Sequence, residues 1–145
     1  MSTATKILLI DDDPGIRATL QRVLAEEGCE VTMESRGDNG LARAGEEPFN
    51  VVITDLKMPG LGGLELVRQL HEAQPRLPII LVTAFGTTQT AIEATKLGAF
   101  DYLLKPFNIP QLLELIRRAV DSNRLMSEPV VLGEADSGRD SGDAP

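Results

Sequence analysis

The chain alternates between short unbroken apolar runs and longer stretches in which apolar residues recur every three or four positions. Ile7-Leu8-Leu9-Ile10, Val51-Val52-Ile53 and Ile79-Ile80-Leu81-Val82 are the unbroken runs. A strand with one wet face alternates apolar and polar residues, so runs without polar interruption predict strands covered on both sides. Two weaker segments, Glu30-Val31-Thr32-Met33 and Phe100-Asp101-Tyr102-Leu103, complete a set of five strands. Between them the period becomes helical. Ile16, Leu20, Val23 and Leu24 share one helical face, with Asp13-Pro14 suited to an N-cap and first turn and Gly28 to a stop. Leu64, Val67, Arg68 and Leu70 mark a helix that Pro75 would end, and Thr90 to Leu97 one closed by Gly98. Leu112, Leu113, Ile116, Ala119 and Val120 mark a last helix after Pro110, while Gly37 to Gly45 carries the weakest helical pattern.

Strands that alternate with helices predict an α/β fold: a five-stranded parallel sheet with right-handed crossovers, doubly wound by five helices on its two faces. For five strands the flavodoxin-like order 2-1-3-4-5 is the usual arrangement. The texture changes near Ser127, beyond which Glu, Asp, Gly, Ser and Pro dominate. Such a segment buries too little apolar surface to offset its ordering entropy. The expected organisation is therefore one domain over residues 5–124 and an acidic, Gly/Ser-rich, disordered linker or tail over residues 125–145.

Composition narrows the function. The formal net charge is -8, and Arg117-Arg118, the densest basic pair, sits in a helical pattern. Neutralising nucleic-acid phosphates or an anionic membrane takes a basic patch, so direct binding to either is not expected. Aromatics make up only 3% of residues and Trp is absent, so the core must be aliphatic. Cys29 is the single cysteine, which excludes an intramolecular disulfide and suits a reducing compartment. The start, Met1 to Lys6, is polar, and no apolar run approaches the ~20 residues of a membrane helix, so a soluble cytoplasmic protein is expected.

In open α/β sheets the chemistry gathers beyond the carboxyl ends of the strands, where the strand order reverses. In the expected order that point lies between strands one and three. Asp11-Asp12 follow strand one and Asp55 follows strand three. Two like charges ~4 Å apart repel by roughly 4 kcal/mol at an effective dielectric near 20, so a proton or a cation must relieve them. A hard divalent ion that accepts carboxylates, waters and a phosphate oxygen describes Mg2+. Asp13 reads as a helix cap. Thr83 ends strand four and Lys105 follows strand five. Taken singly these are a strand residue and a surface lysine. Placed together at neighbouring strand ends, a hydroxyl and an ammonium suit the remaining oxygens of a transferring phosphoryl group.

Four segments carry a family resemblance: Ile10-Asp11-Asp12-Asp13, Asp55-Leu56-Lys57-Met58-Pro59-Gly60, Val82-Thr83-Ala84 and Tyr102-Leu103-Leu104-Lys105-Pro106-Phe107. They resemble the CheY-like receiver domains of bacterial two-component response regulators. The resemblance implies that Asp55 accepts a phosphoryl group from the phosphohistidine of a sensor histidine kinase. It implies that Asp11, Asp12, Asp55 and the backbone carbonyl of Lys57 hold Mg2+, with Mn2+ or Ca2+ able to substitute. Thr83 would bond the phosphoryl group and couple it to a switch, Lys105 would pair with a phosphoryl oxygen, and the Lys105–Pro106 bond would be cis. Tyr102 would change rotamer on activation, and Met58-Pro59-Gly60 would shape the loop beside the site. Lys57 and Phe85 fall at positions that vary in the family and tune phosphoryl lifetime. Phosphorylation would switch the face made by the fourth helix, fifth strand and fifth helix, with homodimerisation a possible outcome. Such a domain catalyses only its own phosphorylation and dephosphorylation. The stretch from Thr83-Ala84-Phe85-Gly86 to Tyr102 is especially similar to receivers of the NtrC group. Those precede a sigma-54-activating ATPase and a DNA-binding output domain that regulate transcription, and neither is in this chain.

Two other readings compete. A haloacid-dehalogenase-like phosphatase also uses Asp-x-Asp after a first strand, which would be Asp11 and Asp13, with a later Thr and Lys. That family needs a further acidic pair on a strand after the Lys, where this sequence has one helix and the tail, and it has no use for Asp55. A flavodoxin-type flavin carrier fails at Asp11-Asp12-Asp13-Pro14, whose carboxylates repel a phosphate. Plain structural roles are expected for His71 (solvated on a helix), Cys29 (a small buried apolar residue), Met58 (packed in its loop) and Glu26-Glu27 (a solvated helix end).

Overall fold

Strands and helices alternate through the computed structural model, which describes residues 4–84 and 87–127. They are β1 (Lys6–Ile10), α1 (Pro14–Glu26), β2 (Glu30–Glu34), α2 (Gly37–Glu46), β3 (Val51–Thr54), α3 (Gly63–Ala73), β4 (Ile79–Thr83), α4 (Thr88–Leu97), β5 (Asp101–Leu104) and α5 (Ile109–Ser127). The five strands are all parallel, in the order β2-β1-β3-β4-β5. The expected fold is thereby met. Phe85 and the expected tail beyond residue 127 lie outside the described residues.

The uninterrupted apolar runs become the three central strands because both of their faces are covered. Leu8, Ile10, Val52, Ile79 and Leu81 pack toward Ala44 of α2, Leu66, Val67 and Leu70 of α3 and Ala94 of α4. The alternate residues Ile7, Leu9, Val51, Ile53, Ile80 and Val82 pack toward Leu20 and Leu24 of α1 and Leu112, Ile116 and Ala119 of α5. Each fully buried Leu or Ile contributes about 1.5–3 kcal/mol from apolar transfer. The two layers are mainly aliphatic, with Phe49 buried in the first and Phe100 and Phe107 packed against the second.

Element ends show where local chemistry overrides periodicity. α1 starts as read: the Asp13 carboxylate accepts from the amides of Gly15 at 2.8 Å and Ile16 at 3.3 Å, with Pro14 in the first turn. α4 begins earlier than the expected Thr90, because the Thr87 hydroxyl accepts from the Thr90 amide and caps a helix starting at Thr88. α3 ends at Ala73 before Pro75, and the Gln74 side chain donates to the Ala44 carbonyl of α2 at 2.9 Å. β5 lies one residue later than read and alternates half-buried with exposed positions, as an edge strand should. α5 extends to Ser127, past the expected domain end near residue 124. His71, expected in solvent, is half-buried, and a side chain at Gly98 would meet its imidazole at 2.3 Å, so the end of α4 rests on it. Cys29, expected buried, is half-buried against the α1/α5 layer. Met58 packs onto the α2/α3 layer, as expected.

Candidate functional site

The register of the sheet brings the site together. Ile10 of β1 lies opposite Thr54 of β3, so the next residues, Asp11 and Asp55, leave adjacent strand ends side by side. Backbone bonds continue the ladder past the strands: Asp55 N–H donates to the Ile10 carbonyl at 3.0 Å and Asp11 N–H to that of Glu34 at 3.1 Å. On the other side of β3, Thr83 of β4 lies opposite Leu104 of β5, and Lys105 N–H donates to the Thr83 carbonyl at 2.9 Å. The Lys105–Pro106 peptide is cis, as expected.

Asp11, Asp55 and Thr83 are buried, and Asp12 is exposed. One carboxylate oxygen from each of Asp11, Asp12 and Asp55 lies within 4.8 Å of the others. The Lys105 ammonium bridges two of the three, donating to Asp11 Oδ2 at 3.0 Å and Asp55 Oδ2 at 3.2 Å. The other oxygens are held by backbone: Asp11 Oδ1 accepts from Asp13 N–H at 3.0 Å and Asp55 Oδ1 from Leu56 N–H at 2.6 Å. Burial pushes the Asp11 carboxyl above the usual range, against the lowering effect of the Asp13 amide and of Lys105. For Lys105, burial works to lower the ammonium, but its hydrogen bond to Asp11 and the charges of Asp11 and Asp55 prevail, and it titrates above its ordinary value.

The loop after β3 folds tightly around Asp55. Gly63 N–H donates to the Leu56 carbonyl at 2.8 Å, and a Cβ at Gly63 would stand 2.4 Å from the Asp55 carbonyl oxygen. The Thr54 hydroxyl reaches the Met58 sulfur at 3.7 Å. Asp12, Asp13, Ile16, Asp55, Lys57, Ala84 and Lys105 line an open cleft of about 500 Å3.

Of the residues singled out in the sequence, Asp11, Asp12, Asp55 and Lys105 converge, Lys57 lines the same cleft, and Thr83 stands at the neighbouring strand end. Tyr102 is apart from them, 40% exposed on β5 beside Glu114 and Arg118 of α5. Asp13 lines the cleft, but its carboxylate is engaged as the cap of α1. Two contributors escaped the sequence reading. Arg17 on α1 reaches back to the Asp11 carbonyl at 2.7 Å, and Gly63 provides the close approach of α3 to Asp55. A glycine at the start of a helical pattern was the only available signal for the second.

The donor set is carboxylate oxygen throughout, crowded onto two strand ends beside the Lys105 ammonium. It fits a hard divalent cation of the Mg2+ type better than a thiophilic metal.

Residues 7–117 match the family described as the response regulator receiver domain. The C4-dicarboxylate transport transcriptional regulatory protein DctD of Pseudomonas aeruginosa is 42% identical over 125 residues, covering 86% of this chain and 27% of that protein. The DNA-binding transcriptional regulator NtrC of Salmonella typhimurium is 37% identical over 123 residues, covering 85% of this chain and 26% of that protein. The chain thus spans about a quarter of the length of these relatives. Among solved structures, a CheY-like receiver domain protein from Methanospirillum hungatei JF-1 superposes with a TM-score of 0.83 at 31% identity, over 86% of this chain and all of that one.

Proposed function

Since the chain belongs to the response regulator receiver domain family, a family of signalling domains, we propose that Asp55 is its phosphoacceptor and that a sensor histidine kinase is the donor. The observation that carries this reading is the Lys105 ammonium bridging the buried Asp11 and Asp55 carboxylates at the point where the strand order reverses. An Asp55 carboxylate oxygen attacks the phosphorus of the phosphohistidine. An O–P bond forms, the N–P bond breaks, and the imidazole leaves with its electron pair and takes a proton from solvent. In the reverse direction of signalling, water attacks the acyl phosphate and releases phosphate, regenerating the carboxylate. Lys105 and the Thr83 hydroxyl donate to phosphoryl oxygens, where positioned donors stabilise developing charge. Asp11, Asp12, Asp55 and the Lys57 carbonyl would hold Mg2+, which when bound neutralises charge on the phosphoryl oxygens.

The haloacid-dehalogenase alternative gains no support: the family match lies elsewhere, and the second aspartate it requires, Asp13, is the α1 cap. An apolar groove of about 400 Å3 shares Ile16, Ala84 and Lys105 with the acidic cleft and continues along Leu20, Phe107 and Ile109. In this reading the donor protein docks there. The receiver unit is taken as residues 5–124, with residues 125–145 linking it to an output domain. By the likeness to DctD and NtrC, that output is transcriptional, through a sigma-54-activating ATPase and a DNA-binding domain. No helix among the described residues is long and apolar enough to cross a membrane, and a cytoplasmic location belongs to the same proposal.

The switch is read as α4, β5 and α5, with Thr83 and Tyr102 as its coupled residues. Moving a two-state equilibrium from about 1:99 to 99:1 takes about 5.5 kcal/mol. Charge-assisted bonds from Thr83 and Lys105 to a phosphoryl group supply part of that. Incubation with Mg2+ and acetyl phosphate, followed by intact mass, tests the acceptor. A single phosphoryl adduct in the parent, absent from Asp55→Asn and in chelator, is expected. An adduct that persists in Asp55→Asn would sink this assignment.

A further inference from the structure

The weakest helix of the sequence, α2, lies against the phosphorylation loop. Its buried small residues Gly37, Gly40 and Ala44 face inward. A Cβ at Gly40 would stand 2.3 Å from Ile10 Cδ1, so α2 abuts the residue that precedes Asp11. At its first turn α2 touches the loop that follows Asp55. Gly37 N–H donates to the Pro59 carbonyl at 3.3 Å, and a Cβ on Gly37 would lie only 1.9 Å from the Leu61 carbonyl oxygen. Next to that contact the Arg36 guanidinium grips Asp38 through Nε at 3.1 Å and Nη2 at 2.9 Å. The pair sits over Gly60, whose φ of +79° and lack of a side chain leave room for it: a Cβ there would meet Asp38 Cγ at 2.8 Å and Arg36 Nη2 at 2.9 Å.

We infer that Arg36, Gly37 and Asp38 are positioning residues that clamp the loop of residues 57–61 and so set the orientation of the Lys57 carbonyl. The inner side of the loop is fixed by the Gly63–Leu56 bond and by Met58 against Thr54. The outer side meets α2 through the Gly37–Pro59 bond, and the Arg36–Asp38 pair lies against Gly60. Lys57 lies between these anchors, so its peptide has little freedom once both are made. The ion pair itself is exposed and adds little to global stability. Its effect is local, on one carbonyl direction. This inference rests on the proposed Mg2+ site and names a part of it supplied by another element.

The test compares Gly37→Ala with Gly45→Ala, the same change on the same helix where a Cβ meets nothing within 4 Å. Arg36→Ala is the second variant, since an exposed side chain can be removed without loss of fold. Mg2+ affinity is measured by titration calorimetry, alongside the Mg2+ dependence of acetyl phosphate labelling. Removing groups that orient a metal ligand costs on the order of tenfold in affinity. A loss of that order is expected for Gly37→Ala, with a smaller loss for Arg36→Ala and none for Gly45→Ala. Labelling should be restored at saturating Mg2+. Parent-like Mg2+ affinity in folded Gly37→Ala and Arg36→Ala would overturn the clamp alone. If the parent binds no Mg2+, the proposed site itself falls.

Discussion

Asp11 and Lys105 respond to pH in different ranges, although they share a hydrogen bond. Burial raises the Asp11 carboxyl above 3.8, so the folded state binds its proton more readily than the unfolded chain. Stability at this residue is therefore gained as pH falls through the raised value and is absent at neutral pH. For Lys105, raised above 10.5, the contribution is complete below 10.5 and is lost as pH climbs through the folded value. In chelator, Asp11→Asn is expected to be more stable than the parent toward urea at neutral pH. That advantage should shrink as pH falls into the acid range where parental Asp11 takes up its proton. Circular dichroism serves as the probe, since the chain has no Trp. An advantage that grows on acidification would contradict this account of Asp11. The site aspartates and Lys105 were legible because residue type and strand-end position coincide. Arg17 was not, because a side chain reaching back to the Asp11 carbonyl leaves no periodic trace. His71 was misplaced for a related reason: its cover comes from Gly98 at the end of α4, far along the chain.

At the scale of elements, legibility followed how much of each element's environment is local. β1, β3 and β4 are buried on both faces, so their composition alone identifies them. The start of α1 could be read because the Asp13 cap is made within three residues. α2 resisted because its glycines serve close approach to Ile10 and Leu61, which depends on contacts across the fold rather than on helix propensity. β5, an edge strand, mixes exposed and half-buried positions, which blurred its start by a residue. Asp13 separates a cap from a catalytic acid. Asp13→Ala should lower stability by about 1 kcal/mol, read from urea midpoints, while leaving the acetyl phosphate adduct on Asp55 intact. Loss of the adduct in a folded Asp13→Ala protein would reopen a chemical role for that carboxylate.

Across the whole molecule, the large apolar side chains exposed among the described residues are Met33, Ile92, Tyr102 and Leu104. Three of them belong to α4 and β5, the face read as the switch. Homodimerisation on phosphorylation is expected to cover it, and light scattering at high protein concentration should show a twofold gain in mass. Equal mass with and without Mg2+ and acetyl phosphate would count against assembly by this route. The bridge from Lys105 to Asp11 joins residues 94 positions apart. A ribosome that has not yet released Lys105 therefore carries a nascent chain whose acidic pair lacks its resident cation, however well β1 and β3 have already paired. The cluster of Asp11, Asp55 and Lys105 is assembled only when synthesis of the domain is nearly finished.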